Sequence, residues 1–403
     1  MKEYIKKVIH YFRMEIYTRE VVVSRRIIPE ARGSVVIPAA APGGTGDDAM
    51  VNGSIAALSG EYLGERISIL VPNKYPADFR FSPESEHLKL FSNWTHPAVE
   101  AAELNSYKKV YVLGADILDG AYNLPDAIKR IRLAGICSEQ GQDSRIVGFS
   151  LNGNPHPAVL QEFKRLKNVP LFLRDPLSYE RAKRLIGGDI RLSADVAFLL
   201  EPMAGKHSAA VERFAAQARA IGNRVYGLNI HDLLARFSPE GNFDKLISSI
   251  AGLIASRKDC SFVLIPHDYR KTVDDRAPLQ RVYENLDLEC RQRVQFLSEP
   301  IRAAEIKQIC KSLDGVLTGR MHLAIAALGV GVPVMGIVYQ GKFEGTLSYF
   351  DLDQEFLLSP EQAADYELLK KRFGLWVAGA ESASEKIRKN LPAVKKLAAS
   401  NFQ

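Results

Sequence analysis

No run of about 18 or more consecutive apolar residues occurs in this sequence, so it predicts no membrane-crossing helix. Cysteine is scarce: there are four, Cys137, Cys260, Cys290 and Cys310, and none forms a CxxC pair. Scattered thiols in a long chain without a secretory leader read as reduced and mostly buried, in a cytosolic compartment. No basic run with interleaved aromatics appears, nor a zinc-finger, KH or RRM pattern, so nucleic acid is not an expected partner. No cluster of metal-ligand residues is visible and no metal is expected. Repeats and low-complexity segments are missing too. What is present is a globular composition, 46% hydrophobic and 25% charged over 403 residues. That length exceeds one ordinary core and predicts two or three domains. The net charge of +6 is modest and suits anionic partners.

Ile5, Val8, Ile9, Phe12 and Ile16 fall on one helical face, flanked by Lys2, Lys6, Lys7 and Arg13. Two readings stand for residues 1–30. One is an amphipathic helix lying on an anionic membrane surface. The other is a helix packed on the protein or on a second subunit of a homo-oligomer.

Short β-branched runs then alternate with helical patterns. Expected strands are Ser34–Pro38, Ile67–Val71, Val110–Gly114, Arg145–Phe149 and Pro170–Arg174, with helices such as Leu124–Leu133, Ala158–Leu166 and Ser178–Ile186 between them. A second series comprises Arg224–Leu228, Ser261–Ile265, Val294–Leu297, Gly315–Thr318 and Pro333–Val338. Such alternation predicts an α/β protein with parallel sheets. The Pro- and Gly-containing stretch Glu201–Lys206 marks the junction. The expected division is residues 31–203 and 204–375 as two Rossmann-like domains, with 376–403 as a C-terminal helix. The tail predicts two helices, Pro360–Phe373 and Glu381–Ala399, the second interrupted by Pro392. The whole suggests a GT-B-like architecture with the ligand in a cleft between the domains, at carboxyl ends of strands.

Three segments carry candidate chemistry. Pro42-Gly43-Gly44-Thr45-Gly46-Asp47-Asp48 follows the first strand and opens a helix. Its glycines permit close backbone approach, while the two carboxylates disfavour phosphate and suit a hydroxyl-rich ligand. Helix capping and a tight turn account for the same residues equally well. Arg174-Asp175-Pro176-Leu177-Ser178 ends a strand; Arg174 either reaches an anion or pairs with Asp175 or Asp195. Thr318-Gly319-Arg320-Met321-His322 places a guanidinium and an imidazole at a helix start on a sheet's carboxyl edge, a site for carboxylate or phosphate. Its structural alternative is a capping His322 and an Arg320–Asp314 pair. His267, in Pro266-His267-Asp268, sits at the same sheet edge, and Glu305 either faces the cleft or is a solvated helix charge.

The run from Asp314 to Lys342 resembles the polysaccharide pyruvyl transferase family. Arg320 and His322 stand for its Arg-x-His, Gly331 and Pro333 for its Gly-x-Pro, and Tyr339 and Lys342 for its Tyr-x-x-Lys. Gly46, Asp47 and Ala49 match its Asn-x-Gly-Asp-x-Ala signature, with Gly44 where Asn is usual. Arg174, Asp175 and Ser178 resemble its Arg-Asp-x-x-Ser, and Asp195 its "pD.aF" segment. The resemblance spans roughly residues 34–350. It implies a GT-B-like fold and transfer of pyruvyl from phosphoenolpyruvate, as co-substrate, to a sugar of a surface polysaccharide, often a lipid-linked precursor. It needs no cofactor.

The reaction needs a proton at the methylene carbon, cations for a carboxylate and a phosphate, and an oriented sugar hydroxyl. His322 is the expected general acid and Asp47 the residue that orients or activates the acceptor. The expected binding set is Arg320, Lys342, Arg174, Gly46, Thr45, His267, Tyr339 and Gly319, with Arg forks suited to the anions. The expected location is the cytoplasm, at the inner face of the membrane if residues 1–30 bind there. A GT-B glycosyltransferase using a nucleotide sugar is the competing reading.

Overall fold

Strands form where β-branched runs lose both faces to helices, which is why parallel strands read as continuous apolar segments. Val35, Val36 and Ile37 of β1 (Ser34–Ile37) are all buried, as are Val110 to Leu113 of β4 (Lys109–Ala115). The structure, a computed structural model, describes residues 33–39, 43–61, 67–71, 86–89, 97–236, 239, 241–338 and 343–403. The proposed helix over residues 1–30 lies outside the described residues, as do Tyr339 and Lys342.

Among the described residues the first sheet has seven strands, in the order β3-β2-β1-β4-β5-β6-β7. Here β2 is Ile67–Val71, β3 Glu86–Lys89, β5 Asp143–Phe149, β6 Leu171–Leu173 and β7 Ile190–Leu192. The second has six, ordered β10-β9-β8-β11-β12-β13. These are β8 (Arg224–Asn229), β9 (Cys260–Leu264), β10 (Val294–Phe296), β11 (Gly315–Thr318), β12 (Val334–Ile337) and β13 (Leu357–Leu358). Every pairing in both sheets is parallel. In each sheet the strand order reverses once, between β1 and β4 and between β8 and β11. Such switch points open a crevice at the strands' carboxyl ends.

The chain divides into two compact units. One contains β1, Ser54–Val196 and Ala398–Gln403; the other contains Pro42–Gly53 and Ala197–Leu397. The glycine-rich segment, next to β1 in sequence, therefore belongs to the unit built on the second sheet. The last residues belong to the unit built on the first. There, β5 slips register against β6 between Ile146 and Phe149, with Gly148 at φ 60°. The Gly148 N–H donates to the Asn401 side chain at 3.0 Å, and the Asn401 amide donates to the Ala194 carbonyl at 3.1 Å. Phe402 packs edge-on against Tyr111 with ring centroids 5.1 Å apart.

Three strands escape the sequence pattern: β3, β7 and β13, all at or beside sheet edges. β3 reads Glu-His-Leu-Lys, β7 is half-solvated, and β13 has two residues. Edge strands need no continuous apolar run, so periodicity does not mark them. The tail also differs from expectation. A short helix, Pro360–Ala364, precedes one 34-residue helix, Tyr366–Ala399, that runs through Pro392. A proline inside a helix costs about 3 kcal/mol. Burial of Leu369, Phe373, Trp376, Ile387, Val394 and Ala398 along it outweighs that cost, at roughly 1.5–3 kcal/mol for each large apolar side chain.

Candidate active site

In the unit built on the second sheet, three sequence segments meet at the carboxyl ends of β9, β8 and β11. The turn after β11 carries Gly319 and Arg320 and opens the helix Met321–Leu328. A β-carbon at Gly319 would lie 2.8 Å from the His231 ring, so only glycine fits. His231 follows β8 and its Nε2 lies 3.0 Å from the Gly319 carbonyl. The Thr318 hydroxyl accepts the Arg320 amide N–H at 2.9 Å and donates to the Asn229 side-chain oxygen at 3.2 Å. The turn is thus fixed before any ligand enters.

The glycine-rich segment packs directly on this turn. A β-carbon at Gly46 would collide with the His322 ring, and one at Gly43, where φ is 102°, would lie 2.9 Å from Arg270 Cγ. The Thr45 N–H donates to the His267 carbonyl at 3.2 Å, and the Tyr269 N–H donates to the Gly43 carbonyl at 2.9 Å. Gly44 forms an isolated antiparallel bridge with Asp268. Thr45, Gly46, His267, Gly319, Arg320 and His322 are therefore brought together.

Charges around them alternate in sign. Asp275 is bound by Arg320, whose Nη2 donates at 2.5 Å and whose Nε lies 3.2 Å from both carboxylate oxygens. Arg320 Nη1 lies 3.5 Å from Asp268, and Arg270 grips Asp268 through Nε at 2.9 Å and Nη2 at 2.5 Å. Arg270 Nη1 in turn lies 4.0 Å from Asp47. Asp48 is held separately, by Arg302 Nη2 at 2.8 Å and by the Ala303 N–H at 2.9 Å. The expected Arg320–Asp314 alternative is not what forms: Asp314 accepts from Arg219 and from the Val225 N–H.

Burial decides the state of one imidazole. His267 is 4% exposed, and burial pushes its pKa well below the ordinary value, helped by the neighbouring His322 and Arg320 charges. It is neutral at neutral pH. Burial likewise pushes the Asp275 carboxyl up, against the opposing pull of Arg320, Asn229 and the His267 amide. All its polar neighbours are N–H donors, and donors of this kind bind the ionised form.

Arg174, expected near a ligand, and Glu305, weighed for the cleft, are both occupied elsewhere. Arg174, in the other unit, is 2% exposed; its Nε donates to Ser150 at 2.6 Å and its Nη1 to Asp195 at 2.8 Å. This is one of the two ion pairs weighed as the alternative for Arg174. Asp175 instead caps the helix Pro176–Leu185. Glu305 neither faces a ligand nor stands in solvent: it accepts the His207 and Ser208 N–H groups at 2.7 and 2.9 Å, capping the helix Lys206–Ala220. Asp275, Arg270 and Arg302 were not legible as site residues. The first looks like a helix cap, and the arginines sit in ordinary charged sequence. Among the described residues no group of His, Cys, Asp and Glu is arranged to hold a metal ion. Nor is any helix among them long and apolar enough to cross a membrane.

No curated protein sequence matches the chain. Solved structures do. A Listeria monocytogenes protein assigned as a UDP-N-acetylglucosamine 2-epimerase superposes with a TM-score of 0.60 at 15% identity, covering 92% of this chain and 94% of its own. The Neisseria meningitidis UDP-GlcNAc 2-epimerase, bound to UDP-GlcNAc, gives 0.58 at 12% identity over 91% and 97%. An α,α-trehalose-phosphate synthase (UDP-forming) from Burkholderia vietnamiensis gives 0.51 at 12% identity over 94% and 96%. At these identities the likeness concerns the fold, two Rossmann-like domains of GT-B type. The polysaccharide pyruvyl transferase model matches residues 45–341, from the glycine-rich segment through the Arg320–His322 turn. With most of its length matched and both of those motifs included, the chain belongs to the polysaccharide pyruvyl transferase family.

Proposed function

We propose that the protein transfers the pyruvyl group of phosphoenolpyruvate to a sugar of a surface polysaccharide or its lipid-linked precursor, forming a cyclic ketal. The observation that carries this reading is the meeting of the Thr45–Gly46 segment, His267, Arg320 and His322 at the switch point between β8 and β11. In the reaction a proton adds to the methylene carbon of the donor. A sugar hydroxyl attacks the neighbouring carbon, which develops oxocarbenium character. A second hydroxyl closes the ring as the C–O bond to phosphate breaks. One hydroxyl proton replaces the one delivered, and the other leaves with phosphate.

His322 supplies the first proton, acting as general acid through its imidazole. Neutral His267 beside it adds no second positive charge. Arg320 presents a guanidinium already fixed in direction to the donor's carboxylate or phosphate. Because carboxylates flank it, Arg320 contributes hydrogen-bond geometry more than surplus charge. Lys342 is assigned the remaining donor charge and Tyr339 a donor contact, both from the family motif. Asp47, beside Arg270, orients the acceptor hydroxyl. Arg174 is left out of the binding set, because its guanidinium is buried on Asp195. Residues 1–30 bring the protein to a lipid-linked acceptor at the inner membrane face: deleting them abolishes pelleting with anionic vesicles, and unchanged pelleting would end that role.

The test is thermal stabilisation by ligands that bind the native state. Phosphoenolpyruvate raises the melting temperature of the wild-type protein, and Arg320→Ala abolishes the shift. A shift with nucleotide sugars and none with phosphoenolpyruvate would replace this reading by a GT-B glycosyltransferase.

A further inference from the structure

Asp275 occupies the N-cap position of the helix Arg276–Glu284, where aspartate normally accepts a hydrogen bond from the helix's own first turn. Its side chain makes no such cap bond. It is fully buried, and its oxygens are turned away from the helix toward the strand ends. There the carboxylate accepts Nε–H and Nη2–H of Arg320, the Asn229 side-chain amide at 2.9 Å and the His267 N–H at 3.0 Å. Asn229 ends β8, His267 follows β9, and Arg320 follows β11. One carboxylate therefore ties together the carboxyl ends of three neighbouring strands.

The ties close on themselves. Asp275 accepts from Asn229, Asn229 accepts from Thr318, Thr318 accepts from the Arg320 N–H, and the Arg320 side chain returns to Asp275. Nη2 of Arg320 also donates to the Val273 carbonyl at 3.1 Å. A guanidinium gripped along one edge has its plane and its rotation set. The amide anchored on the same carboxylate belongs to His267, whose carbonyl receives the Thr45 N–H of the glycine-rich segment. Arg320 and the segment that abuts His322 thus share one reference point. An isolated helix cap has no need of such a network. Burying a carboxylate is costly unless each of its interactions is well made, and the cost here falls beside the ligand-binding turn.

We propose that Asp275 is the positioning residue of the donor site: it presents the Arg320 guanidinium to the phosphoenolpyruvate anion and sets it in register with the turn bearing His322. This rests on the pyruvyl-transfer reading above. Asp275 touches no substrate and acts through Arg320.

The experiment uses the full chain and phosphoenolpyruvate as the probe. Isothermal titration compares wild type, Asp275→Asn and Asp314→Asn, the last a carboxylate in the same unit that only holds Arg219 and the Val225 amide. Asp275→Asn weakens phosphoenolpyruvate binding by about 10- to 100-fold, the scale expected for a misplaced clamp; Asp314→Asn leaves it unchanged. In protein labelled with 15N-arginine, the Arg320 Nε–H resonance is protected from exchange in wild type, identified by its loss in Arg320→Lys, and loses that protection in Asp275→Asn. Should Asp275→Asn fail to fold, Thr318→Val opens the ring while keeping the side-chain shape, and weakens binding by about 3- to 10-fold through loss of the two hydrogen bonds that the hydroxyl makes to Arg320 and Asn229. Wild-type binding with equal affinity in the folded Asp275 or Thr318 variant overturns the positioning role alone. No binding by wild type overturns the donor reading and the proposal with it.

Discussion

Each unit of this protein places an arginine within two residues of a strand's end and pairs it with an aspartate, yet the two pairs are different objects. Arg174 and Asp195 are both 2% exposed at their side chains and 2.8 Å apart. Arg320 retains 14% exposure while its partner Asp275 has none. In the first pair both partners are sealed, and the pair joins the strand end of β6 to the segment after β7. In the second only the carboxylate is sealed, and the guanidinium is held along one edge with Nη1 3.5 Å from Asp268. The same two residue types form a fully sealed clamp in one unit and a half-open pair in the other, the one proposed above to present Arg320 to the donor. Residue identity does not distinguish them; the asymmetry of burial within the pair does.

The comparison breaks most sharply at the chemistry beside the mounted arginine. His322→Ala lowers pyruvyl transfer by about 100- to 10,000-fold, the range for losing a general acid, measured as phosphate released from phosphoenolpyruvate in the presence of glycan precursors. Near-normal turnover would remove His322 from the reaction. Asp195→Ala acts on the other pair. It strands the buried Arg174 charge and lowers unfolding free energy by about 3–5 kcal/mol in urea titrations. The protein that remains folded binds phosphoenolpyruvate as wild type does; weakened binding with intact stability would reverse the assignment of the two pairs.

A third buried cation sharpens the contrast, because its partners are carbonyls rather than carboxylates. Lys307 donates to Phe198 and Leu200 carbonyls at 3.0 and 2.6 Å, and burial brings its pKa down from 10.5 to about 7. The unfolded chain holds that proton up to its ordinary value, whereas the native chain releases it near pH 7. Stability is therefore lowest below pH 7 and rises as pH climbs through the window between them. From pH 7 to 9 the gain is about 2 kcal/mol, and Lys307→Met flattens the slope. A slope unchanged in the variant would show that other groups set it. The smallest effect belongs to the exposed Arg191–Asp189 pair, 47% and 46% accessible. Arg191→Gln changes melting by no more than about 0.5 kcal/mol, and a larger loss would mean that exposure is a poor guide here.

Much of this was legible in the residues themselves. Continuous β-branched runs marked the central strands of both sheets, because central parallel strands are apolar on both faces. The edge strands β3, β7 and β13 were not marked, for the same reason reversed. Arg320 and His322 stood out through their place at a strand end before a small-residue helix. The glycines at 43, 44 and 46 signalled a close approach, but not what approaches. Arg270 and His322 are distant in sequence, and only the fold brings them there. Asp275 was hidden by its own ordinariness, an acid before a helix. Glu305 was hidden likewise, since a charge on an amphipathic helix gives no sign that it will cap a different one.

The unit built on the first sheet is completed by Asn401 and Phe402, which come after the whole of the second unit in chain order. On a ribosome that sheet is translated early, yet its β5 irregularity stays without its side-chain acceptor, and Tyr111 without Phe402, until the codons for Asn401 and Phe402 are read. Quality control follows from this order. A chain cut before Ala398 carries every residue of the Arg320 turn but an unfinished first core, so such products are exposed to proteolysis even with that turn complete.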